Sequence, residues 1–120
     1  MKVAITSQGK MPSDAVDPRF GRARAFLVMD TETGACTAIE NTVNLNAAQG
    51  AGIQSAQRLA ASGVEALITG NVGPKAFRVL AEAEIKVHLV DNCTVAEAFE
   101  RFRRGELQEL SAANVEGHWM

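Results

Sequence analysis

Residues 67–75 read Leu-Ile-Thr-Gly-Asn-Val-Gly-Pro-Lys, and this stretch decides the fold. Its apolar start predicts a buried strand that ends at Gly70. Gly73 and Pro74 then open a helix, because proline suits the first helical position, where its missing N–H would have no partner. Such a helix directs free amides and the positive end of its dipole outward, with Lys75 alongside, and can hold an anion. An ordinary strand–helix turn gives the same pattern, so both interpretations remain open.

The rest of the chain predicts four further strands and two further helices. A hairpin with Gly34 in its turn joins the second and third strands. The third helix begins at Thr94, where Glu97 completes a capping box, and ends at Gly105. The predicted strands are 2–6, 25–29, 35–40, 64–69 and 85–90, and the helices are 53–61, 74–83 and 95–104, with a short extended piece at 107–110.

This order predicts a three-layer α/β/α fold. Helices that join the third, fourth and fifth strands imply parallel, right-handed crossovers with helices on both faces of the sheet. The second strand then runs antiparallel between the first and third, and we expect a five-stranded mixed sheet of order 3-2-1-4-5. This order places a topological switch point between strands one and four. Open α/β sheets bind ligands at such a point, at the carboxyl ends of their strands.

Cationic and glycine-rich connections gather at that edge. The long segment between strands one and two shows no periodicity, and segments of this kind are usually functional or disordered. Two helix N-termini and several cations could together hold a phosphate, a nucleotide or an anionic metal–sulfur cluster. Neither GxGxxG nor GxxxxGKS is present, so the dinucleotide and P-loop interpretations have little support. The candidate binding residues on this reasoning are Ser7, Lys10, Arg19, Arg22, Arg24, Gly50, Ala51, Gly52, Gly73, Pro74 and Lys75.

Composition indicates one domain, which we expect to span 1–110, with a C-terminal tail at 111–120. The formal net charge of −2 argues against general binding of nucleic acid, because phosphate affinity needs a basic surface. No apolar run is long enough for a membrane span or a signal peptide, so we expect no membrane association and a cytoplasmic location. The two cysteines lack CxxC spacing and indicate neither a zinc site nor a redox pair.

Few side chains are candidates for direct contact with a metal. Cys93 follows strand five at the functional edge and is a soft thiolate candidate for a metal, although a structural role is the alternative. Met11 is a thioether candidate in the long loop. Cys36 is expected in the core and His88 packed within its strand, whereas His118 lies in the tail.

Several motifs together resemble the nitrogenase iron–molybdenum cofactor accessory family. They are Met-Lys-Val-Ala-Ile at 1–5, Phe-Gly-Arg-Ala at 20–23, Gly-Ala-Gly at 50–52, Gly-Asn-Val-Gly-Pro-Lys-Ala at 70–76 and Phe-Arg-Arg-Gly-Glu-Leu at 102–107. The resemblance implies a ribonuclease-H-like fold, and it adds Phe20, Gly21, Ala23, Gly70, Asn71 and Val72 to the candidate binding residues.

The resemblance also implies a function. It is noncovalent binding or carriage of a molybdenum-copper sulfide cluster, or of a related molybdenum- or iron-containing sulfur cluster. The implied partners are cluster-assembly or ATPase proteins. A cluster with its own sulfides needs little or no protein ligation.

Two other classes of function are compatible with a fold of this kind. A nuclease of the ribonuclease-H-like fold needs carboxylates at strand ends to hold two Mg²⁺ ions, and the first strand has none while the fourth ends in Thr69 and Gly70. We therefore expect a binding protein and not an enzyme. The remaining alternative is a regulatory module that binds a nucleotide or a partner through the same edge.

Overall fold

The structure is a computed structural model, and it describes residues 1–41, 51–111 and 113. Gly50, His118 and nearly all of the predicted tail at 111–120 lie outside these residues. The elements in chain order are β1 Lys2–Ser7, a single 3₁₀ turn Phe20–Arg22, β2 Ala25–Asp30, β3 Cys36–Glu40, α1 Ala51–Ser62, β4 Ala66–Thr69, α2 Pro74–Glu82, β5 Lys86–Leu89 and α3 Val95–Arg103.

The predicted sheet is confirmed. Five strands lie in the order β3-β2-β1-β4-β5. β2 is antiparallel to both of its neighbours, with Val3 opposite Met29, and β1 is parallel to β4, with Val3 opposite Ala66. The fully buried strand β4 and the nearly fully buried strand β1 lie at the centre, as expected for apolar strands covered on both faces.

Helices cover the two faces of this sheet. On one face, Leu59 of α1 and Leu80 of α2 pack with Phe26, Leu67 and Val87. On the other face, apolar residues of α3 pack against a second set of strand side chains; the cluster includes Val95, Ala98, Phe99, Ile5, Leu27 and Ile68. The molecule is therefore the predicted three-layer α/β/α arrangement, and its central strands are held from both sides.

Local signals in the sequence set the ends of α3 and the hairpin turn. The Thr94 hydroxyl accepts the Glu97 amide at 3.2 Å, and Glu97 Oε1 accepts the Thr94 amide at 3.3 Å, which confirms the capping box. Gly34 has a φ of 76°, as its place in the hairpin turn predicts. Gly105 follows α3 with a φ of 72°.

The two edge strands differ in how they are covered. The outer edge of β5 pairs with the extended piece predicted near the C-terminus, through Leu89 N to Gln108 O at 3.1 Å and Leu110 N to Val87 O at 2.7 Å. β3 is exposed along most of its length. The prediction that Cys36 belongs to the core is wrong, because β3 is an edge strand on which Ile39 packs against the core whereas the Cys36 side chain is exposed.

Candidate functional site

One edge of the sheet collects the connections that sequence analysis singled out. The strand pairing places Ser7 beside Ala25, Ala25 beside Glu40, and Thr69 beside Leu89. The carboxyl ends of β1, β3, β4 and β5 and the amino end of β2 therefore lie together. We call this side of the molecule the loop edge.

The long segment after β1 is folded against the rest of the loop edge. The Gln8 amide donates to Ala15 O at 3.0 Å, and the Val16 amide donates to Cys93 O at 2.9 Å. At the start of the segment, Ser7 is buried and its hydroxyl donates to Gly9 O at 2.7 Å. The segment is thus held by irregular local contacts and by one contact to a residue distant in sequence, Cys93, which explains why it shows no periodicity.

A buried hydrogen-bond network fixes the middle of this segment. The Thr6 hydroxyl lies 2.6 Å from Asp17 O and 2.9 Å from the Thr69 hydroxyl, so it links the ends of β1 and β4 to the loop. The Asp17 carboxylate is buried and accepts the Arg19 amide at 3.0 Å, with Arg19 Nε at 3.5 Å. Sequence analysis missed Asp17, because nothing in the sequence alone marks that loop carboxylate as buried.

Gly70 allows two loops to touch. A methyl group added at Gly70 would lie 2.8 Å from Pro18 Cα and 3.0 Å from Pro18 O. The Asn71 side chain donates to Pro18 O at 3.1 Å, and the Phe20 amide donates to Asn71 O at 3.2 Å. The turn after β4 and the segment that contains Arg19 therefore form one continuous surface.

The α3 N-terminus is closed to ligands. The amides of Val95 and Ala96 donate to Asp14 O and Pro12 O, each at 2.9 Å, while Thr94 caps the Glu97 amide. These donors are already used within the protein.

The α2 N-terminus differs from that of α3. Gly73 is its N-cap and contributes no side-chain hydrogen bond, and Pro74 follows at the first helical position. The Lys75 side chain is exposed in the same turn. Of these two helices, α2 therefore has the terminus suited to an anion.

α1 is tied to the same edge by a second buried network. The buried Asn41 side chain donates to Ala23 O at 2.8 Å and accepts the Ser55 hydroxyl at 3.1 Å. Ala51 begins the helix and Gly52 lies buried in its first turn. The amino half of α1 thus lies beside the 3₁₀ turn.

The predicted cations are present at the loop edge, but two of them have carboxylate partners. Lys10 forms an ion pair with Glu40, which lowers the pKa of that carboxyl, and Arg19 pairs with Asp17. Arg22 is half-buried at the end of the 3₁₀ turn, and Arg24 is exposed just before β2. The positive charge of this surface is consequently partly neutralised by the protein itself.

Some predicted site residues are core residues. The side chains of Phe20, Ala23 and Val72 are fully buried in the core beneath α1 and α2, and the Phe20 ring lies 5.7 Å from that of Phe26. Gly21 is also buried. A ligand at the loop edge would meet the backbone of these residues and not their side chains.

The candidate soft ligands are dispersed. Cys93 is half-buried against the α3-side core, and burial raises the pKa of its thiol, which disfavours the thiolate that a metal would bind. Met11 is exposed at the loop tip, and His88 packs edge-on against Phe102, as expected for a strand histidine. Within the described residues, no group of three or more His, Cys, Asp or Glu side chains could hold a metal ion.

A cavity of about 360 Å³ opens at the loop edge beyond β4 and β5. The described residues that line it include one carboxylate, Asp91, and no lysine or arginine; they are Val16, Pro18, Gly70, Asn71, Val90, Asp91 and Asn92. Arg19 adjoins this cavity, because it follows Pro18 and pairs with Asn71. Arg24 lies farther away, just before β2.

None of the described helices combines the length and apolar character that a bilayer crossing requires.

The sheet order, the helix placement and the loop edge define a small α/β domain of the type that binds a ligand at the carboxyl ends of its parallel strands. Residues 1–105 match the model of the dinitrogenase iron–molybdenum cofactor family. The chain belongs to that family, and the resemblance drawn from its motifs is confirmed.

Solved structures and a sequence relative agree with this assignment. The apo form of the orange protein from Desulfovibrio gigas is 42% identical, with a TM-score of 0.93 over 95% of this chain and 96% of that one. A putative NifB protein from Thermotoga is also 42% identical, with a TM-score of 0.84 over 97% and 98% of the two chains. An uncharacterized protein of Methanocaldococcus jannaschii is 32% identical over 92% of each chain.

Proposed function

We propose that this protein binds or carries an anionic molybdenum-containing metal–sulfur cluster at its loop edge, noncovalently and without turnover. A cofactor-binding role in general follows from the family. The finer proposal names the guest, a molybdenum-copper sulfide or an iron–molybdenum type cluster, and its place. Partner proteins would be those that assemble or accept such clusters. Cluster binding and transfer would take place in the cytoplasm.

The observation on which the proposal chiefly rests is the α2 N-terminus. Its glycine cap contributes no side-chain hydrogen bond to the first amides, and Lys75 adds a charge in the same turn. The Arg19 segment is hydrogen-bonded to Asn71, three residues before the first residue of α2. Amide donors and guanidinium groups thus lie beside each other, as an anion site requires.

The donor set fits a cluster that brings its own ligands. The described residues offer no trio of metal-ligating side chains, and the thiol nearest the loop edge has a raised pKa. Sulfides on the surface of a cluster can accept hydrogen bonds from amides and guanidinium groups. The proposed residues would therefore act as hydrogen-bond donors and counter-charges.

A nucleotide-binding or partner-binding regulatory module is the alternative. The cavity beyond β4 and β5 has the size of a small-molecule site, but its lining includes Asp91 and no described cation. A phosphate there would meet a carboxylate. This lining disfavours a nucleotide phosphate inside the cavity.

Uptake of tetrathiomolybdate with Cu(I) by the metal-free protein tests the proposal. We expect saturable uptake with a charge-transfer spectrum, and loss of retention when Arg22→Ala and Arg24→Ala are combined. The matched control combines Lys2→Ala with Lys86→Ala, which removes the same charge. Both lysines are exposed and begin β1 and β5, so they lie at the end of the sheet opposite the loop edge. Equal retention by both variants, or tight binding of nucleotide without cluster uptake, would contradict the proposal.

A further inference from the structure

The outer edge of β3, with which no other described strand pairs, has a defined pattern of backbone donors and acceptors. The Asp30 amide donates to Ala35 O at 3.0 Å, and the Asn41 amide donates to Arg24 O at 2.9 Å. Because hydrogen-bonded pairs alternate along an antiparallel ladder, Thr37 and Ile39 direct their backbone groups toward β2. Cys36, Ala38 and Glu40 direct theirs outward.

The sequence of β3 lacks the usual protection of an edge strand. Its residues are Cys-Thr-Ala-Ile-Glu, with no proline and no lysine or arginine. The single charge, on Glu40, is paired with Lys10. The other edge strand, β5, forms backbone hydrogen bonds with the chain's own Gln108 to Leu110 segment. The outer edge of β5 is therefore covered by another segment of the chain, unlike the outer edge of β3 in the described residues.

We propose that β3 pairs antiparallel with β3 of a second copy of this chain, about a two-fold axis through Ala38. In that register Ala38 faces Ala38 of the second copy, and Cys36 faces Glu40. All outward backbone groups of the five residues then find partners, in about six hydrogen bonds. Glu40 O already accepts Arg58 Nη1 at 2.6 Å and keeps a second lone pair for this contact.

Side chains and charges agree with the same register. No like charges face each other, because Glu40 meets Cys36. On the α1 face, Ile39 of one copy meets Thr37 of the other, at the margin of a groove of about 200 Å³ whose lining includes Val28, Thr37 and Ile39. Five residues bury a small area, so we expect a weak dimer, with the two loop edges at opposite ends and both accessible.

Disulfide trapping tests the register. Ala38→Cys in a Cys36→Ser background places two thiols on facing residues about 5.5 Å apart at Cα, within the roughly 4.4–6.8 Å that a disulfide spans. Thr37→Cys in the same background is the matched control, because the two copies of position 37 would be roughly 8 Å apart. We expect fast, specific cross-linking at position 38 alone, and equal rates at both positions would overturn the proposal.

Sedimentation equilibrium and amide hydrogen exchange provide a second test. We expect concentration-dependent self-association that Ala38→Lys weakens at least about tenfold, since an edge lysine blocks strand pairing. A monomer at all concentrations would overturn the proposal. In that monomer, protection of the Cys36, Ala38 and Glu40 amides from hydrogen exchange would show that the chain covers its own β3 edge. Unprotected amides would show that the edge is uncovered and could pair with an extended segment of another protein.

Discussion

Replacing Gly70 with alanine tests how the two halves of the loop edge are joined. The new methyl group would lie 2.8 Å from Pro18 Cα, 2.9 Å from Pro18 Cβ and 3.0 Å from Pro18 O. Because two of these three atoms are backbone, relief requires movement of the loop, and overpacking of this kind costs about 1–3 kcal/mol. Gly70 does not adopt a positive φ, so the backbone itself accepts alanine.

The net effect includes a compensating gain in the unfolded state. Alanine restricts the unfolded chain and returns about 0.4–1 kcal/mol, which leaves a net loss centred near about 1.3 kcal/mol and reaching at most about 2.5 kcal/mol. The central value corresponds to a fall in Tm of roughly 5 °C for a domain of this size. Urea unfolding followed by circular dichroism should show a lower midpoint with an unchanged slope.

Gly9→Ala is the matched control for this experiment. Its added methyl would meet the Asp14 carboxylate, the end of a side chain that can rotate away at the expense of one hydrogen bond, to the Met11 amide. That exchange costs about 1 kcal/mol and the unfolded-state gain offsets most of it. If Gly70→Ala is as stable as Gly9→Ala, the close contact between the two loops is not rigid and the reasoning is refuted.

Three further predictions concern ligation, pH and capping. Cys93→Ser should leave the charge-transfer spectrum of the loaded protein intact, because a half-buried thiol with a raised pKa is a poor ligand; loss of the spectrum would instead show direct coordination. Burial lowers the pKa of His88 below its ordinary 6.5, so the folded protein binds fewer protons than the unfolded chain near that pH. The free energy of unfolding, measured in urea, should therefore fall as the pH drops through 6.5. His88→Gln should flatten this pH dependence. Thr94→Ala removes the capping box of α3 and should lower the unfolding free energy by about 1 kcal/mol, measured by the same urea titration, and an unchanged midpoint would contradict that role.

Features set by element order or by neighbouring residues were predictable. The strand order was expected from the order of strands and helices, with the fourth strand placed on the other side of the first, and it is confirmed. The capping box of α3 depends on two residues only three positions apart, Thr94 and Glu97. Element ends differ by one or two residues, as at β5, predicted over 85–90 and observed at Lys86–Leu89.

Features that depend on distant contacts were not predictable. The segment after β1 is fixed by hydrogen bonds to Cys93 O, Thr6 O and Asn71 O, none of which has a local signature. The closed α3 N-terminus results from the same segment. Cys36 was expected in the core because it sits in a strand pattern, but the pattern does not reveal that β3 is an edge strand on which the Cys36 side chain is exposed.

The candidate site is predicted in part. Sequence analysis placed the glycine-rich turns and the cations at one edge, and the structure brings the described ones there, Gly50 lying outside the described residues. It did not show that Lys10 and Arg19 have carboxylate partners, since Glu40 and Asp17 are reached only through the fold. The binding roles of these residues stay predictions.

Amide NMR during titration with tetrathiomolybdate and Cu(I) tests the central claim most directly, since it locates the guest without relying on any substitution. We predict that the shifted amides include Lys75 and Ala76 of α2, with those of Arg19 and Asn71. Amides at the opposite end of the sheet, such as Gly34 and Glu84, should stay unchanged. Shifts concentrated at that opposite end, or no shifts at saturating cluster, would contradict binding at the loop edge.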